Sequence, residues 1–209
     1  MKLFKARPSS LSKLMGKLDK NGELPKTATT YLKEWYSGET EEISSKYLTK
    51  GVILENEAIE FASKVLYGGI KAYKNEDIYS NEWLIGTPDV VLEESIIDTK
   101  CSWSYKTFLD SAIELNMDYE WQLRAYMFLC EKEFATLFYY LGDTPPEANY
   151  GKKISYSHLM PFERWFSYEF KRDIEKENQI IERIKLCREW LNEYDKLINQ
   201  KIGKRNINF

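Results

Sequence analysis

Histidine is nearly missing from this chain: in 209 residues there is one, His158. Histidine-rich metal clusters, Ser-His-Asp triads and other His-dependent catalytic motifs are thereby excluded. Cysteine is scarce as well. Cys101, Cys130 and Cys187 lie far apart with no CxxC spacing, which argues against a zinc site, an iron–sulfur cluster or a disulfide framework and leaves reduced thiols as the expectation. No apolar run approaches the roughly 20 residues of a membrane span. The basic opening "MKLFKARPSSLSKLM" has neither the continuous apolar stretch nor the small-residue cleavage site of a secretory signal. The cytoplasm is the default compartment, with no membrane partner. A GxxxxGK[ST] loop is also lacking, so no intrinsic NTP motor is expected.

What is present is ordinary for a globular protein: 43% hydrophobic residues, 30% charged residues and a mean hydropathy of −0.54. The length suits a single domain over 1–209. Its core is expected at about 50–141, with an N-terminal helical segment in 1–49 and a C-terminal helical extension at about 161–202. Charge is unevenly spread. Residues 1–30 carry seven Lys/Arg against two Asp/Glu and 171–206 carry ten against seven, leaving 31–170 at −11 within an overall −3. That division suits an acidic metal-binding centre with phosphate-gripping flanks, or simply solvated surface charge.

Periodicity predicts the order of elements. "TATTYLKEWYSGE" reads as a helix ending near Gly38, with Thr residues available as caps. In "SSKYLTKGVILENEAIEFASKVLYG", Val52, Glu55, Ala58, Ile59 and Ala62 fall at three- and four-residue steps on one helix face. Residues 76–101 read as two or three antiparallel strands, "MDYEWQLRAYMFLCEK" as a helix, "FATLFYYL" as a strand and "KKISYSHL" as a further one holding His158. The stretch 161–202 reads as one or two amphipathic helices with Ile174, Ile181, Ile184, Leu186, Trp190, Leu191 and Leu197 as apolar positions. The fold class is α+β with a mixed central sheet flanked by helices.

"GTPDVVLEESIIDTK" plants Asp89, Asp98 and Lys100 among Val and Ile. Residues two apart on a strand share a face, so Asp98 and Lys100 project together. If the turn falls at Glu93–Ser95, Asp89 is carried next to Asp98. Two partly buried carboxylates repel each other and resist losing water unless a positive charge joins them. A divalent cation would do this: two Asp oxygens, a main-chain carbonyl and waters form the oxygen-rich set that Mg²⁺ or Mn²⁺ prefers. Lys100 at the rim could orient water or offset charge at a phosphate. The plainer alternative is a salt bridge on a half-exposed sheet. Downstream, "CSWSYKTF" could present Trp103 to a splayed base.

The "PD" at 88–89 and the "DTK" at 98–100, with eight residues between Asp89 and Asp98, resemble the signature of the PD-(D/E)xK nuclease superfamily. "GVILENEAIEF" resembles the G-x-x-x-E-x-x-A helix of its phage lambda exonuclease-like (YqaJ-type) branch, and "WQLRAYM" resembles the Q-x-x-x-Y helix of that branch and of RecB-type nucleases. "KARPSSLSKLM" is similar to the Ser-containing N-terminal segment of the same branch. The resemblance covers about residues 50–141 and implies a restriction-endonuclease-like core. It also implies an acidic helix residue at Glu55, and Gln122 and Tyr126 on one face addressing a phosphate or a water. Arg7, Ser9 and Ser10 would hold a DNA end, unless the serines serve as a helix N-cap beside a surface charge.

Carried over residue by residue, the resemblance implies a metal-dependent DNA nuclease. Asp89, Asp98, Glu55 and the carbonyl of Thr99 would hold Mg²⁺, with Mn²⁺ as a substitute. Lys100 would orient or deprotonate the attacking water, and Gln122 would position Lys100 or the scissile phosphate with Tyr126 supporting it from one turn away. Asp98 stands where many relatives have Glu. The relatives further imply 5′-to-3′ digestion of double-stranded DNA from a free end, a single-strand annealing protein as partner and a bacterial or phage-infected cytoplasm; some of them form rings, and the C-terminal helices here could pack between subunits of a homo-oligomer or on the chain's own core. Rival readings are a structure-specific or restriction-type endonuclease, a non-catalytic DNA-binding subunit, and a helical adaptor built on 161–202.

Overall fold

The computed structural model describes residues 3–39, 46–69 and 71–205. Within them a 3-10 turn, Pro8–Ser10, leads into α1 (Leu11–Leu14), α2 (Lys26–Ser37) and α3 (Lys46–Leu66). There follow β1 (Tyr79–Ser80), β2 (Ile85–Gly86), β3 (Val90–Val91) and β4 (Ser95–Cys101). After them come α4 (Tyr105–Ile113), α5 (Met117–Cys130), β5 (Phe134–Tyr140), β6 (Trp165–Lys171) and α6 (Ile174–Arg205). Strands β1 and β2 form a small antiparallel ribbon; β3-β4-β5-β6 form the main sheet. Only β4 and β5 pair in parallel, the chain between them crossing over through α4 and α5. A parallel neighbour cannot be reached by a tight turn, and the two helices supply the longer path. This is the α+β architecture with a mixed sheet that the sequence predicts.

Helices cover both faces of the sheet. On one side Leu11, Leu14, Ala28, Leu32, Leu123, Met127 and Leu137 pack with Ile180, Ile184, Cys187 and Leu191 of α6. On the other, Ala58, Ile59 and Ala62 of α3 pack on Val90, Ile97, Phe138 and Tyr140. Strand β4 lies between these layers, which is why Ile96, Ile97, Asp98 and Thr99 are all buried rather than alternating in and out. Helix α2 ends as expected at Gly38, whose φ of 72° suits a residue without Cβ.

Several expectations are corrected. Pro25, not a threonine, occupies the N-cap of α2, and the Thr27 hydroxyl instead donates to the Lys13 carbonyl at 3.0 Å. Val52 is exposed; the α3 side chains of that face that pack on the sheet are Ala58, Ile59 and Ala62. "KKISYSHL" makes one isolated bridge, Ile154 to Thr144, and His158 sits in an exposed turn. The stretch 161–202 is not helical throughout: Trp165–Lys171 is β6. Its Phe166, Tyr168 and Phe170 alternate with Ser167, Glu169 and Lys171, a period of two that marks a strand. In α6, Ile174 and Leu197 are exposed, and the buried stripe is Ile180, Ile184, Cys187 and Leu191.

Helix α6 also fastens the N-terminal segment. Arg183 donates to the carbonyls of Leu14 and, at 2.7 Å, Gly16. Arg188 donates to the Phe4 carbonyl at 3.0 Å and the Glu82 carbonyl at 2.6 Å. Tyr36 donates to Asp195 at 2.7 Å. The amphipathic face of α6 is therefore spent on the chain's own core. In urea unfolding, Leu191→Ala should cost about 2–5 kcal/mol through the cavity it leaves. Ile174→Ala, on the exposed end of the same helix, should stay within about 0.5 kcal/mol of wild type.

Candidate active site

The turn between β3 and β4 closes through the Leu92 N–H donating to the Ser95 carbonyl at 2.8 Å. Val90 pairs with Ile97 and Val91 with Ile96, so Asp89, just ahead of β3, is carried to the level of Asp98. Asp89 is half-buried, and its Oδ2 accepts from the Thr99 N–H at 2.8 Å and the Thr99 hydroxyl at 2.9 Å. Asp98 is 1% exposed. Its Oδ1 accepts from Gln122 Nε2 of α5 at 2.8 Å, and its Oδ2 lies 2.5 Å from the Lys100 ammonium. That second contact is an ion pair, and no further donor among the described residues reaches the buried Oδ2.

Electrostatics follow from this burial. Loss of water pushes the Asp98 carboxyl up to about 6; Lys100 pulls it back, and the charges of Asp89 and Glu55 add to the rise. Burial pulls the Lys100 ammonium down, yet Asp98 and Asp89 outweigh it and its pKa is raised. The Lys100 ammonium also sits 4.7 Å from the centre of the Tyr119 ring.

Glu55, Asp89, Thr99, Lys100 and Tyr119 line an open cleft of about 580 Å³, and Asp98 is buried beside it. Its walls include Glu55 and Val52 from α3, Asp89, Thr99 and Lys100 from the hairpin, and Trp103 beyond it. Glu55 is engaged there by Lys74, with Nζ to Oε2 at 2.6 Å. Tyr126 has a different task from the one expected. Its hydroxyl donates to the Thr87 carbonyl at 3.0 Å, two residues before Asp89, so it shapes the chain leading to the site while Gln122 meets the carboxylate. Gly86 allows this closeness: a Cβ there would come within 2.9 Å of Pro8 and 3.3 Å of the Tyr126 ring.

Glu55, Asp89, Asp98, Thr99, Lys100, Gln122 and Trp103 are thus gathered at or beside one cleft. Arg7, Ser9 and Ser10 are not among its lining residues. Arg7 and Ser9 are exposed on the 3-10 turn, and Ser10 stands at the N-cap position of α1 without a side-chain cap bond. Lys74 and Tyr119 went unread in the sequence. No motif marks Lys74, whereas Tyr119 lies three residues before Gln122 on the same helix face and could have been found by that spacing.

A divalent cation fits the donor set in part. Asp89 and the under-satisfied Asp98 offer hard oxygens in a place where burial makes unneutralised charge costly. The set with Glu55 as an additional ligand is not assembled: among the described residues no three His, Cys, Asp or Glu side chains come together as a metal site. Lys74 holds Glu55 instead, and Lys100 takes the place of a cation on Asp98.

No family model matches the chain, and no curated protein matches it significantly. Among solved structures, a phage related exonuclease from Haemophilus somnus 129PT superposes with a TM-score of 0.79 over 93% of this chain and 96% of that one, at 26% identity. The chain has the fold of the phage-related exonucleases. Two structures of LHK-Exo share it, one the alkaline exonuclease from Laribacter hongkongensis and one described as a complex with dAMP. Both have a TM-score of 0.70 over 97% of this chain and 95% of theirs, at 16% and 17% identity respectively. No helix among the described residues is long and apolar enough to cross a membrane.

Without metal, the fold favours the neutral form of Asp98. The stability this contributes is fully present below the ordinary carboxyl value of 3.8 and is lost as pH rises through about 6. An Asp98→Asn variant lacks that loss. In urea unfolding with a chelator present, the stability of the variant relative to wild type should therefore climb across this window and then level off. A relative stability that falls with pH would instead make the ionised carboxylate net favourable in the fold.

Proposed function

We propose that this protein is a metal-dependent DNA nuclease that cuts phosphodiester bonds in the cleft lined by Asp89 and Lys100, with Asp98 buried beside it. The observation that carries the reading is the buried Asp98, flanked by Lys100 and Gln122 and level with Asp89, in a chain folded like the phage-related exonucleases. Asp89 and Asp98, with the Thr99 carbonyl, would hold Mg²⁺, or Mn²⁺ in its place; Glu55 could join them on leaving Lys74. The chemistry the cation supplies when bound is polarisation of the phosphodiester and neutralisation of charge developing at phosphorus.

The chain's own residues do the rest. Gln122 fixes one oxygen of Asp98, which leaves the other to Lys100. Lys100 donates to the attacking water or to a phosphate oxygen, a charge-assisted contact in a partly dry site. Tyr126 holds the Thr87 carbonyl and so fixes the approach of the chain to Asp89. Trp103 supplies an aromatic wall on which an unpaired base can stack. Arg7 and Ser9 would meet DNA outside the cleft.

As the similar solved proteins are described as exonucleases, the proposed mode is digestion of linear double-stranded DNA from a free end, in the 5′-to-3′ direction. A single-strand annealing protein as partner in recombination, a homo-oligomeric state and a cytoplasmic setting belong to the same proposal.

The test is digestion of end-labelled linear and closed circular DNA with Mg²⁺. Wild type should degrade the linear form and spare the circle. Lys100→Ala should lose about 10²–10⁴-fold in rate, the range for removal of a group that moves or orients a proton. Asp98→Ala should lose at least as much. Cutting of closed circles would point to an endonuclease with the same site, and full activity in both folded variants would refute the assignment.

A further inference from the structure

Lys50 is fully buried, at 0% exposure, yet it bears a group that water solvates strongly. Its ammonium donates to two consecutive main-chain carbonyls, Ser102 at 2.8 Å and Trp103 at 3.1 Å. It also lies 5.5 Å from the centre of the Tyr156 ring and 6.0 Å from that of Trp103. Burial lowers its pKa to about 8, with Cys101, Asp143 and Glu57 opposing the fall. A methionine would fill much the same space without burying a charge, so packing alone does not call for a lysine here.

Position gives the ammonium a use. Lys50 stands on α3 five residues before Glu55; Ser102 and Trp103 follow Lys100 at the exit of β4. All of these except Lys50 line the cleft. The ammonium therefore ties the helix bearing Glu55 to the chain just beyond Lys100. Around it, the Thr144 hydroxyl donates to the Trp103 carbonyl at 3.5 Å, and the Lys46 ammonium lies 4.9 Å from the Trp103 ring. Ser104 then caps α4 in a reciprocal pair with Thr107. The main chain of Trp103 is held from α3, from Thr144 and through the capped start of α4.

We propose that Lys50 is a positioning residue of the cleft: it presets Trp103 as a stacking wall for an unpaired base beside the cut phosphate, and it touches no DNA itself. This rests on the nuclease reading of the same cleft. The substrate class it names is DNA with single-stranded or frayed bases at the cleft, because a base must leave its stack to lie on an indole.

Lys50→Met, Thr144→Val and Trp103→Ala can be compared in two assays. Binding of a fluorescein-labelled single-stranded oligonucleotide is read by anisotropy in chelator, and cleavage of end-labelled linear duplex is read in Mg²⁺. Lys50→Met and Trp103→Ala should each weaken oligonucleotide binding roughly tenfold, the scale of one lost stacking contact. Both should raise KM more than they lower kcat. Thr144→Val should move the same way by less. A merely structural Lys50 would lower the melting temperature and leave affinity and KM of the folded protein alone, and that result overturns the proposal. Should Lys50→Met fail to fold, Thr144→Val and Trp103→Ala decide; wild-type affinity in both overturns it. A wild type that binds through Trp103 and Lys50 but cuts nothing would sink the nuclease reading and support the positioning role.

Discussion

The carboxylate of Asp98, all but closed off from water, is answered by an amide from α5 and an ammonium from its own strand. Each answer constrains something larger. For Gln122 to reach it, α5 must cross β4 at that level, which fixes where the crossover between the parallel strands lies on the sheet. For Lys100 to reach it, both residues must share a face, which fixes the pleat of β4 and turns Thr99 the other way, toward Asp89. An unanswered carboxylate at this depth would cost several kcal/mol. The helix and the hairpin are in effect locked together by a charge neither could bury alone.

Around that point the two core layers divide the work. The layer of α1, α2, α5 and α6 supplies most of the apolar mass and keeps Gln122 and Tyr126 in place. The smaller layer under α3 brings Glu55 to the opposite wall through Ile59 and through Ala58 and Ala62, whose small side chains let the helix lie close to the sheet. The cleft opens where these layers part, and the charges stand at the edge of the core rather than in its middle.

Much of this was legible in the sequence wherever the signal was local. The strand period through Asp98 and Lys100 placed both on one face, the turn near Glu93 brought Asp89 alongside, and the helical steps in "WQLRAYM" stacked Gln122 under Tyr126. What failed depended on distant partners. Val52 shares a face with Ala58 but borders the open cleft, and nothing in the helix records where the core gives way to it. Tyr126 carries a polar tip whose target, Thr87, is chosen only by folding. Nothing in the sequence marks Lys50, because burial of an ammonium needs acceptors from Ser102 and Trp103 that periodicity does not reveal. Strand β6 is the exception: its alternation was present, but the helical pattern that follows it was extended back over it.

The arginines of α6 that hold the carbonyls of Phe4, Leu14, Gly16 and Glu82 impose an order of events on a chain made from one end to the other. The hairpin, α5 and β5 can collapse together while the ribosome is still at work. The first segment, with the Pro8 that packs against Gly86, must wait for the last helix before its backbone is satisfied. The run from Gly86 to Asp89 therefore gains its Pro8 backing only after α6 has emerged, and a nascent chain would carry Asp89, Asp98 and Lys100 before their full frame.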